Sequence, residues 1–90
     1  MYYIYILKSL TKDRYYIGHT DDLKSRLERH NFGKVRGSRN WKPWQIVYKE
    51  SYSSRGEAMK RESKLKSWKN KNMLNELISR GGGTVTSEAS

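Results

Sequence analysis

Two short segments near the N-terminus, joined by a polar loop, constrain the fold more than any other part of the chain. The first, YYIYILK at residues 2–8, is rich in aromatic and β-branched residues and predicts a β-strand. A second strand is predicted at RYYIG, residues 14–18. The connecting SLTKD has the length of a hairpin loop, so we expect the two strands to pair in antiparallel fashion.

Alternation along these strands predicts which side chains share a face. Tyr3, Tyr5 and Leu7 point to one side of the first strand, and the isoleucines between them point to the other. Tyr16 and Gly18 face together on the second strand. Two interpretations of Tyr5 and Tyr16 follow: cross-strand aromatic packing, or a pair of phenols at one functional spot. In the second case Gly18, without a side chain, would let a ligand or backbone approach closely.

The segment after the hairpin predicts a helix and then a basic loop. The helix covers LKSRLERHN, residues 23–31, with Asp21 or Asp22 as its cap and Gly33 as its terminator. The following FGKVRGSRNWKPW contains two glycines, the only proline and several basic residues. This composition predicts a long basic loop.

A third strand and two more helices are predicted downstream. The strand is WQIVYKES, residues 44–51. Ser54 and Glu57 have the spacing of a capping box, which starts a helix that ends near Trp68. A short last helix is predicted over residues 71–79.

The order β-β-α-β-α-α predicts an α+β fold, a small three-stranded antiparallel sheet flanked by helices. Ninety residues suit one domain, which we place at residues 1–80. The Gly-rich remainder, residues 81–90, is expected to be disordered.

The charge balance favours an anionic partner. Nineteen Lys and Arg residues against nine Asp and Glu residues give a formal net charge of +10 and a pI near 10.0. Such an excess is typical of proteins that bind nucleic acids, although a charged surface that only keeps the protein soluble would look the same.

Composition also excludes several classes of function. The chain has no cysteine, so disulfides, thiolate metal sites and cysteine nucleophiles are excluded, and two histidines make structural zinc unexpected. No apolar run reaches the ~18 residues of a membrane span, and the N-terminus does not look like a signal peptide. We expect a cytoplasmic protein without a membrane partner.

Two basic residues lie on the apolar side of the first predicted helix. Arg26 and His30, four residues apart, share a face with Leu23 and Leu27. Either Arg26 extends its charged end to solvent beside a satisfied core histidine, or the two residues belong to a functional site.

Glu62 is also a charged residue on the apolar side of a predicted helix, but its charge is negative. On the second predicted helix it falls in the apolar sector measured from Met59 and Leu65. Burial of an unpaired carboxylate costs on the order of several kcal/mol, so Glu62 needs a partner. Lys66, Arg26 or a divalent cation would serve, and Mg²⁺ often needs only one or two protein carboxylates.

This combination resembles the GIY-YIG nuclease superfamily, and within it the short stand-alone bacterial members. The resemblance covers about residues 1–78, and the first motif's glycine is replaced by Tyr3. It is carried by an ordered set of residues: YIY at residues 3–5, YIG at residues 16–18, Arg26, His30 and Glu62.

The resemblance implies metal-dependent hydrolysis of phosphodiester bonds in DNA. Glu62 is then the ligand of Mg²⁺ or Mn²⁺, and Arg26 contacts the non-bridging phosphate oxygens. One phenol, Tyr5 or Tyr16, accepts the proton of the attacking water once nearby cations lower its pKa, and His30 orients that phenol or relays its proton. Many members also carry a late asparagine, for which Asn70, Asn72 and Asn75 are candidates.

The basic segments are expected to contact DNA. Trp41 and Trp44 would either stack on bases or pack within the protein, and packing is favoured for Trp44. No base-reading element is recognisable, so we expect little sequence specificity, while the DNA form, branched or damaged, stays open. The alternative is a non-catalytic nucleic-acid-binding module, which the intact motif disfavours. The candidate DNA-contacting residues are Lys34, Arg36, Arg39, Trp41, Lys42, Lys66 and Lys69.

Overall fold

The computed structural model of the chain describes residues 1–68 and 71–81. The three strands form one antiparallel sheet in which β1 (Tyr2–Ser9) lies between β2 (Tyr15–Thr20) and β3 (Trp44–Tyr52). The predicted α+β fold, with its element order and three-stranded sheet, is confirmed within these residues. The elements are β1 (Tyr2–Ser9), β2 (Tyr15–Thr20), α1 (Leu23–Asn31), β3 (Trp44–Tyr52), α2 (Arg55–Lys66) and α3 (Lys71–Gly81).

The N-terminal hairpin pairs in the register that alternation requires. Tyr5 lies opposite Gly18, and Leu7 lies opposite Tyr16. β2 continues past the predicted end, because Thr20 still pairs with Tyr3 on β1. β1 is central, which leaves β2 at one edge of the sheet.

Helices cover both faces of the sheet because the alternating side chains of β1 are apolar on both sides. Ile4 and Ile6 pack in a cluster that includes Leu65 of α2. Tyr5 and Leu7 belong to a second cluster on the opposite face, where α1 packs. α1 and α2 therefore approach the sheet from opposite sides.

Capping side chains define where the helices begin. Asp22 accepts a hydrogen bond from the Ser25 backbone N–H at the start of α1, and Gly33 follows that helix with φ 74°. Ser54 caps α2 as predicted, because its Oγ accepts a hydrogen bond from the Glu57 backbone N–H at 3.3 Å, and the same hydroxyl donates to the Glu57 carboxylate at 3.1 Å. α2 ends at Lys66, slightly earlier than predicted.

The predicted basic loop is more ordered than its composition indicates. The loop contains a 3₁₀ turn, Arg39–Trp41. Ser38, the residue before this turn, is fully buried. Trp44 begins β3, is buried, and donates its indole N–H to the Ser38 carbonyl at 2.9 Å. Packing of the Trp44 ring thus anchors this segment to the sheet.

A buried ion pair anchors α2 to β3. The Arg61 guanidinium donates to both carboxylate oxygens of Glu50 at 2.9 and 3.0 Å, and the phenols of Tyr48 and Tyr52 donate to the same carboxylate. Burial alone would raise the pKa of Glu50, but the hydrogen bonds from Arg61 and the tyrosines outweigh it and lower that pKa. The ion pair between Arg61 and Glu50 thus holds the turn of α2 that carries Glu62 against β3.

The described residues do not fully test the expectations about the tail, the domain limit and the cellular location. Apart from Gly81, which ends α3, the predicted tail lies outside the described residues, and the domain limit at residue 80 stays a prediction. Among the described helices, none is long and apolar enough to cross a bilayer. The cytoplasmic location likewise stays a prediction.

Candidate active site

A partly open cavity of about 190 Å³ lies at edge strand β2, between side chains supplied by α1 and α2. It brings together four of the five predicted catalytic residues, and the fifth, His30, contacts Tyr5 directly. The residues that line the cavity are Tyr5, Tyr16, Gly18, His19, Arg26 and Glu62.

A buried chain of hydrogen bonds runs behind the cavity. The Tyr5 hydroxyl lies 3.1 Å from His30 Nε2, and His30 Nδ1 lies 2.6 Å from Ser38 Oγ. Ser38 Oγ donates its own proton to the Val35 carbonyl at 3.4 Å, so it accepts from Nδ1–H. This arrangement leaves His30 Nε2 as the acceptor for the Tyr5 proton.

Burial keeps both partners of this hydrogen bond neutral. It lowers the pKa of His30 to about 4, with help from the nearby charges of Arg26 and Arg29. Burial likewise raises the pKa of Tyr5, and the charge of Tyr16 adds to the effect, while Arg26 only partly opposes it. The Arg26 guanidinium by itself does not lower the pKa of Tyr5 below its ordinary value, because desolvation outweighs the guanidinium charge.

Gly18 has a different role from the one its sequence context suggests. A Cβ built on Gly18 would lie 2.5 Å from Tyr5 Oη and 2.8 Å from Tyr5 Cζ. The space above the glycine is therefore filled by the Tyr5 phenol. Gly18 admits a side chain of the same protein, and this lets the Tyr5 hydroxyl reach both His30 and the cavity.

Tyr16 packs against the same residues. Its ring stacks on that of Tyr5 with centroids 6.4 Å apart and meets the His30 ring edge-on at 4.6 Å. The rings therefore pack across the strands, as the first interpretation predicts, and both tyrosines also line the cavity, while a functional role for the two phenols stays a prediction.

Glu62 reaches the cavity from α2 with only 17% of its side chain exposed. Its Oε2 pairs with Lys66 Nζ at 2.6 Å, as one sequence-based alternative proposed, and its Oε1 contacts His19 Nδ1. Burial alone would raise the pKa of Glu62, but the hydrogen bonds from Lys66 and His19 lower it, so the carboxylate is ionised at neutral pH. Met59 is exposed, so its use as a marker of the apolar sector was wrong.

The residues present are compatible with a hard divalent cation. Among residues 1–68 and 71–81, no three His, Cys, Asp or Glu side chains gather into a metal cluster. Mg²⁺ and Mn²⁺ sites often use one or two carboxylates and complete their shell with water. An ionised carboxylate at a cavity open to solvent meets that requirement, and Glu62 is the acidic residue that lines it.

The predicted DNA-contacting residues differ in their exposure to solvent and in their partners. Lys34, Arg36 and Lys42 are exposed, and the Arg14 guanidinium covers the half-buried Trp41 ring at 5.3 Å from its centroid. Lys66 pairs with Glu62. The Arg39 side chain and Lys69 lie outside the described residues.

The other aromatic and amide candidates are not at the cavity. Trp44 is a core residue, so packing rather than base stacking explains it. Asn75 accepts a hydrogen bond from the Tyr15 hydroxyl, and neither Asn75 nor Asn72 lines the cavity. Asn70 is not among the described residues.

Sequence reasoning missed two residues of this site, His19 and Ser38. Alternation places His19 on the face opposite Tyr16, so nothing in the pattern joined it to the motif. Its position directly after YIG was the available signal. Ser38 lies in a segment that read as a loop, and only the packing of that segment reveals its contact with His30.

Comparison with known proteins agrees with this geometry. Residues 1–75 match the sequence profile of the GIY-YIG catalytic domain. The UPF0213 protein SSP2268 of Staphylococcus saprophyticus is 37% identical over 82 residues, which cover 89% of this chain and 96% of the relative. A UPF0213 protein of Bacillus pumilus is 37% identical over 71 residues, covering 78% and 71% of the two chains.

A solved structure supports the same relationship. The solution NMR structure of the UPF0213 protein BH0048 from Bacillus halodurans matches with a TM-score of 0.58 and 30% identity, over 92% of this chain and 88% of that one. The chain therefore belongs to the GIY-YIG catalytic domain family, a nuclease-type family, and its relatives include short UPF0213 proteins.

Proposed function

We propose that this protein is a divalent-metal-dependent endonuclease that hydrolyses phosphodiester bonds in DNA with little sequence specificity of its own. One observation carries the proposal. A guanidinium, an ionised carboxylate and a phenol hydrogen-bonded to a neutral imidazole meet at one cavity of about 190 Å³. Family membership and the net charge of +10 support the same function.

Arg26 is the proposed phosphate-binding residue. Its guanidinium lines the cavity from α1 and presents several N–H donors in a fixed plane. Charge-assisted hydrogen bonds to two non-bridging oxygens would hold the phosphodiester and stabilise the charge that grows on it during attack.

Tyr5 and His30 together form the proposed proton acceptor. Because the Tyr5 phenol is protonated at neutral pH, it serves best as a relay. Tyr5 Oη takes a proton from the attacking water while its own proton passes to His30 Nε2. The new hydroxide bonds to phosphorus, the bond to the 3′ oxygen breaks, and that oxygen takes a proton from solvent. Burial is the main cause of the lowered pKa of His30, and the bound phosphate anion offsets the further lowering by Arg26 and Arg29, which makes the transfer easier.

Glu62 is the proposed ligand of Mg²⁺ or Mn²⁺. When bound, the cation supplies Lewis-acid stabilisation of the phosphoryl oxygens and of the leaving oxygen. The residues of this chain bind the substrate, exclude part of the solvent and carry the proton. Tyr16 lines the cavity beside Tyr5 and His30, and we expect its side chain to contact the sugar-phosphate backbone.

The decisive experiment is nicking of supercoiled plasmid DNA with Mg²⁺ or Mn²⁺. Glu62→Gln should abolish nicking, because it removes the charge that holds the cation while keeping the shape. Glu28→Gln is the matched control, since Glu28 is an exposed carboxylate on α1 and should leave nicking unchanged. Nicking by Glu62→Gln at the wild-type rate would exclude the proposed metal role.

The second candidate is a non-catalytic DNA-binding module. The pairing of both Glu62 oxygens with Lys66 and His19 favours it, since the carboxylate is satisfied without any metal. This candidate predicts salt-dependent DNA binding by the wild-type protein with no nicking under any divalent cation.

A further inference from the structure

His19 and Glu62 bring a nitrogen and an oxygen donor together at the cavity. His19 comes from β2 and Glu62 from α2, and His19 Nδ1 contacts Glu62 Oε1. Both residues line the cavity, with 26% and 17% of their side chains exposed. A solvated ion can therefore reach the pair, while most of each side chain is held by the protein.

The two oxygens of Glu62 are not equivalent. Lys66 pairs with Oε2, and its side chain is half exposed, so it can move into solvent at small cost. His19 holds Oε1 with a ring that the sheet positions. A cation that binds both atoms replaces the hydrogen bond between them. Because Nδ1 donates that bond to the ionised Glu62, its proton is released to solvent, the imidazole then carries its N–H on Nε2, and the freed lone pair of Nδ1 coordinates the cation beside Oε1.

The donor types determine which cations would gain from this arrangement. Mg²⁺ prefers oxygen ligands and keeps much of its water, so an imidazole adds little to its binding. Transition-metal divalent cations accept imidazole nitrogen readily, and Mn²⁺ also accepts carboxylate and water oxygens. A histidine beside the single carboxylate therefore discriminates between the two classes of cation.

We propose that His19 Nδ1 is a second protein ligand beside Glu62 and that this pair selects Mn²⁺ and related transition-metal cations over Mg²⁺. The inference rests on the metal site of the proposed function and specifies its cation class. The competing view is that His19 only orients the Glu62 carboxylate through a hydrogen bond.

His19→Gln separates these two roles. Its amide N–H can still donate to Glu62, so an orienting role would survive, whereas the imidazole nitrogen is removed. Free Mn²⁺ is measured by electron paramagnetic resonance during titration of the protein, and Mg²⁺ affinity by competition. We expect Mn²⁺ binding to weaken by roughly 10-fold or more in His19→Gln, with Mg²⁺ affinity within about 2-fold of wild type. Glu62→Gln should weaken both, and Glu28→Gln neither.

A spectroscopic measurement reports the ligand directly. Electron spin-echo modulation of bound Mn²⁺ should show ¹⁴N coupling from imidazole in the wild-type protein, and this coupling should disappear in His19→Gln. The chain has only two histidines, and both ring nitrogens of the other, His30, are engaged by Tyr5 and Ser38. A nitrogen signal that disappears in His19→Gln is thus assigned to His19.

The outcomes separate this inference from the proposed nuclease activity. Absence of Mn²⁺ binding or of nitrogen coupling in the wild-type protein, or unchanged Mn²⁺ affinity in His19→Gln, overturns the two-ligand site even if plasmid nicking proceeds. Conversely, a Mn²⁺ site with the expected nitrogen coupling in a protein that nicks no DNA sustains the site and overturns the nuclease.

Discussion

Tyr5 and His30 hydrogen-bond to each other across 25 residues of chain, with Oη and Nε2 at 3.1 Å. Both side chains are almost fully buried, so each is held in its neutral form. In this resting state the phenol donates and the imidazole accepts, because the other ring nitrogen, Nδ1, carries the imidazole proton and donates it in a hydrogen bond to Ser38 Oγ. A proton relay from the cavity to His30 requires that Tyr5 be the donor and His30 the acceptor.

Removal of the Tyr5 hydroxyl tests the relay itself. Tyr5→Phe keeps the ring that stacks on Tyr16 but removes the group that bridges the cavity and His30. We expect single-turnover nicking to slow by about 10²–10⁴-fold, the usual contribution of a general base, while the fold persists. Tyr15→Phe is the matched control, because the Tyr15 hydroxyl donates to Asn75 away from the cavity. A wild-type rate in Tyr5→Phe would rule out the relay.

Addition of a methyl group at Gly18 tests the close contact with Tyr5. Gly18→Ala places Cβ 2.5 Å from the Tyr5 hydroxyl, which must shift away from His30 and break their hydrogen bond. We expect destabilisation by about 1–3 kcal/mol and a large loss of nicking. Gly56→Ala should instead stabilise by about 0.5–1 kcal/mol, because the site is helical and nothing lies within 4 Å of its Cβ. Urea unfolding compares the two, and equal stabilities would contradict the packing described here.

Burial of neutral His30 predicts a stability change with pH. The unfolded histidine takes up a proton as the pH falls below 6.5, whereas the folded one does so only near 4. Since the unfolded state binds more protons in this window, stability falls with falling pH by up to roughly 3 kcal/mol. Urea midpoints from about pH 7 to about pH 4.5 measure it, and His30→Gln should flatten the curve.

The titration of Glu50 and Glu62 does not explain a loss of stability at pH values between His30's unfolded and folded pKa. The pKa values of Glu50 and Glu62 are lowered below the usual 4.5, so their contributions are present above that pH and disappear only as the pH falls further. A wild-type midpoint that stays constant between pH 6.5 and pH 4.5 would show that His30 is not held neutral by the fold.

The ion pair between Glu50 and Arg61 should matter far more than the one between Glu76 and Arg80. Arg61→Met leaves a carboxylate that is 4% exposed without its guanidinium partner, which costs about 3–5 kcal/mol. Arg80→Met breaks an exposed pair worth about 0.5 kcal/mol or less. Chemical unfolding distinguishes the two variants. Because Arg61 also sets the turn of α2 that carries Glu62, any folded Arg61→Met protein should nick DNA more slowly.

The exposed cations of the loop before β3 predict salt-dependent DNA binding. Combined substitution of Lys34, Arg36 and Lys42 by alanine should weaken binding to all sequences alike. It should also reduce the slope of log affinity against log salt by about 0.9 for each phosphate that the protein no longer neutralises. Fluorescence anisotropy with a labelled duplex measures this, and Arg80→Ala on α3 serves as the control. An unchanged slope would place the DNA on another face of the protein.

Local patterns were sufficient to predict much of this molecule. The aromatic and β-branched segments with a short polar loop specify the hairpin, and the side-chain oxygens of Asp22 and Ser54 specify helix starts, since both effects act over a few residues. The motif residues on the hairpin and α1 also pointed to the family that residues 1–75 match.

Tertiary contacts decided the chemistry of the site. Whether Tyr5 is a base or a relay depends on how deeply it is buried against His30, and burial is a property of the packed domain. The contact of His19 with Glu62 arises because β2 is an edge strand, where a side chain of α2 can reach a cavity that α1 also borders. Residues distant in sequence meet there, and their separations in space are set by helix packing on the sheet, which no local pattern records.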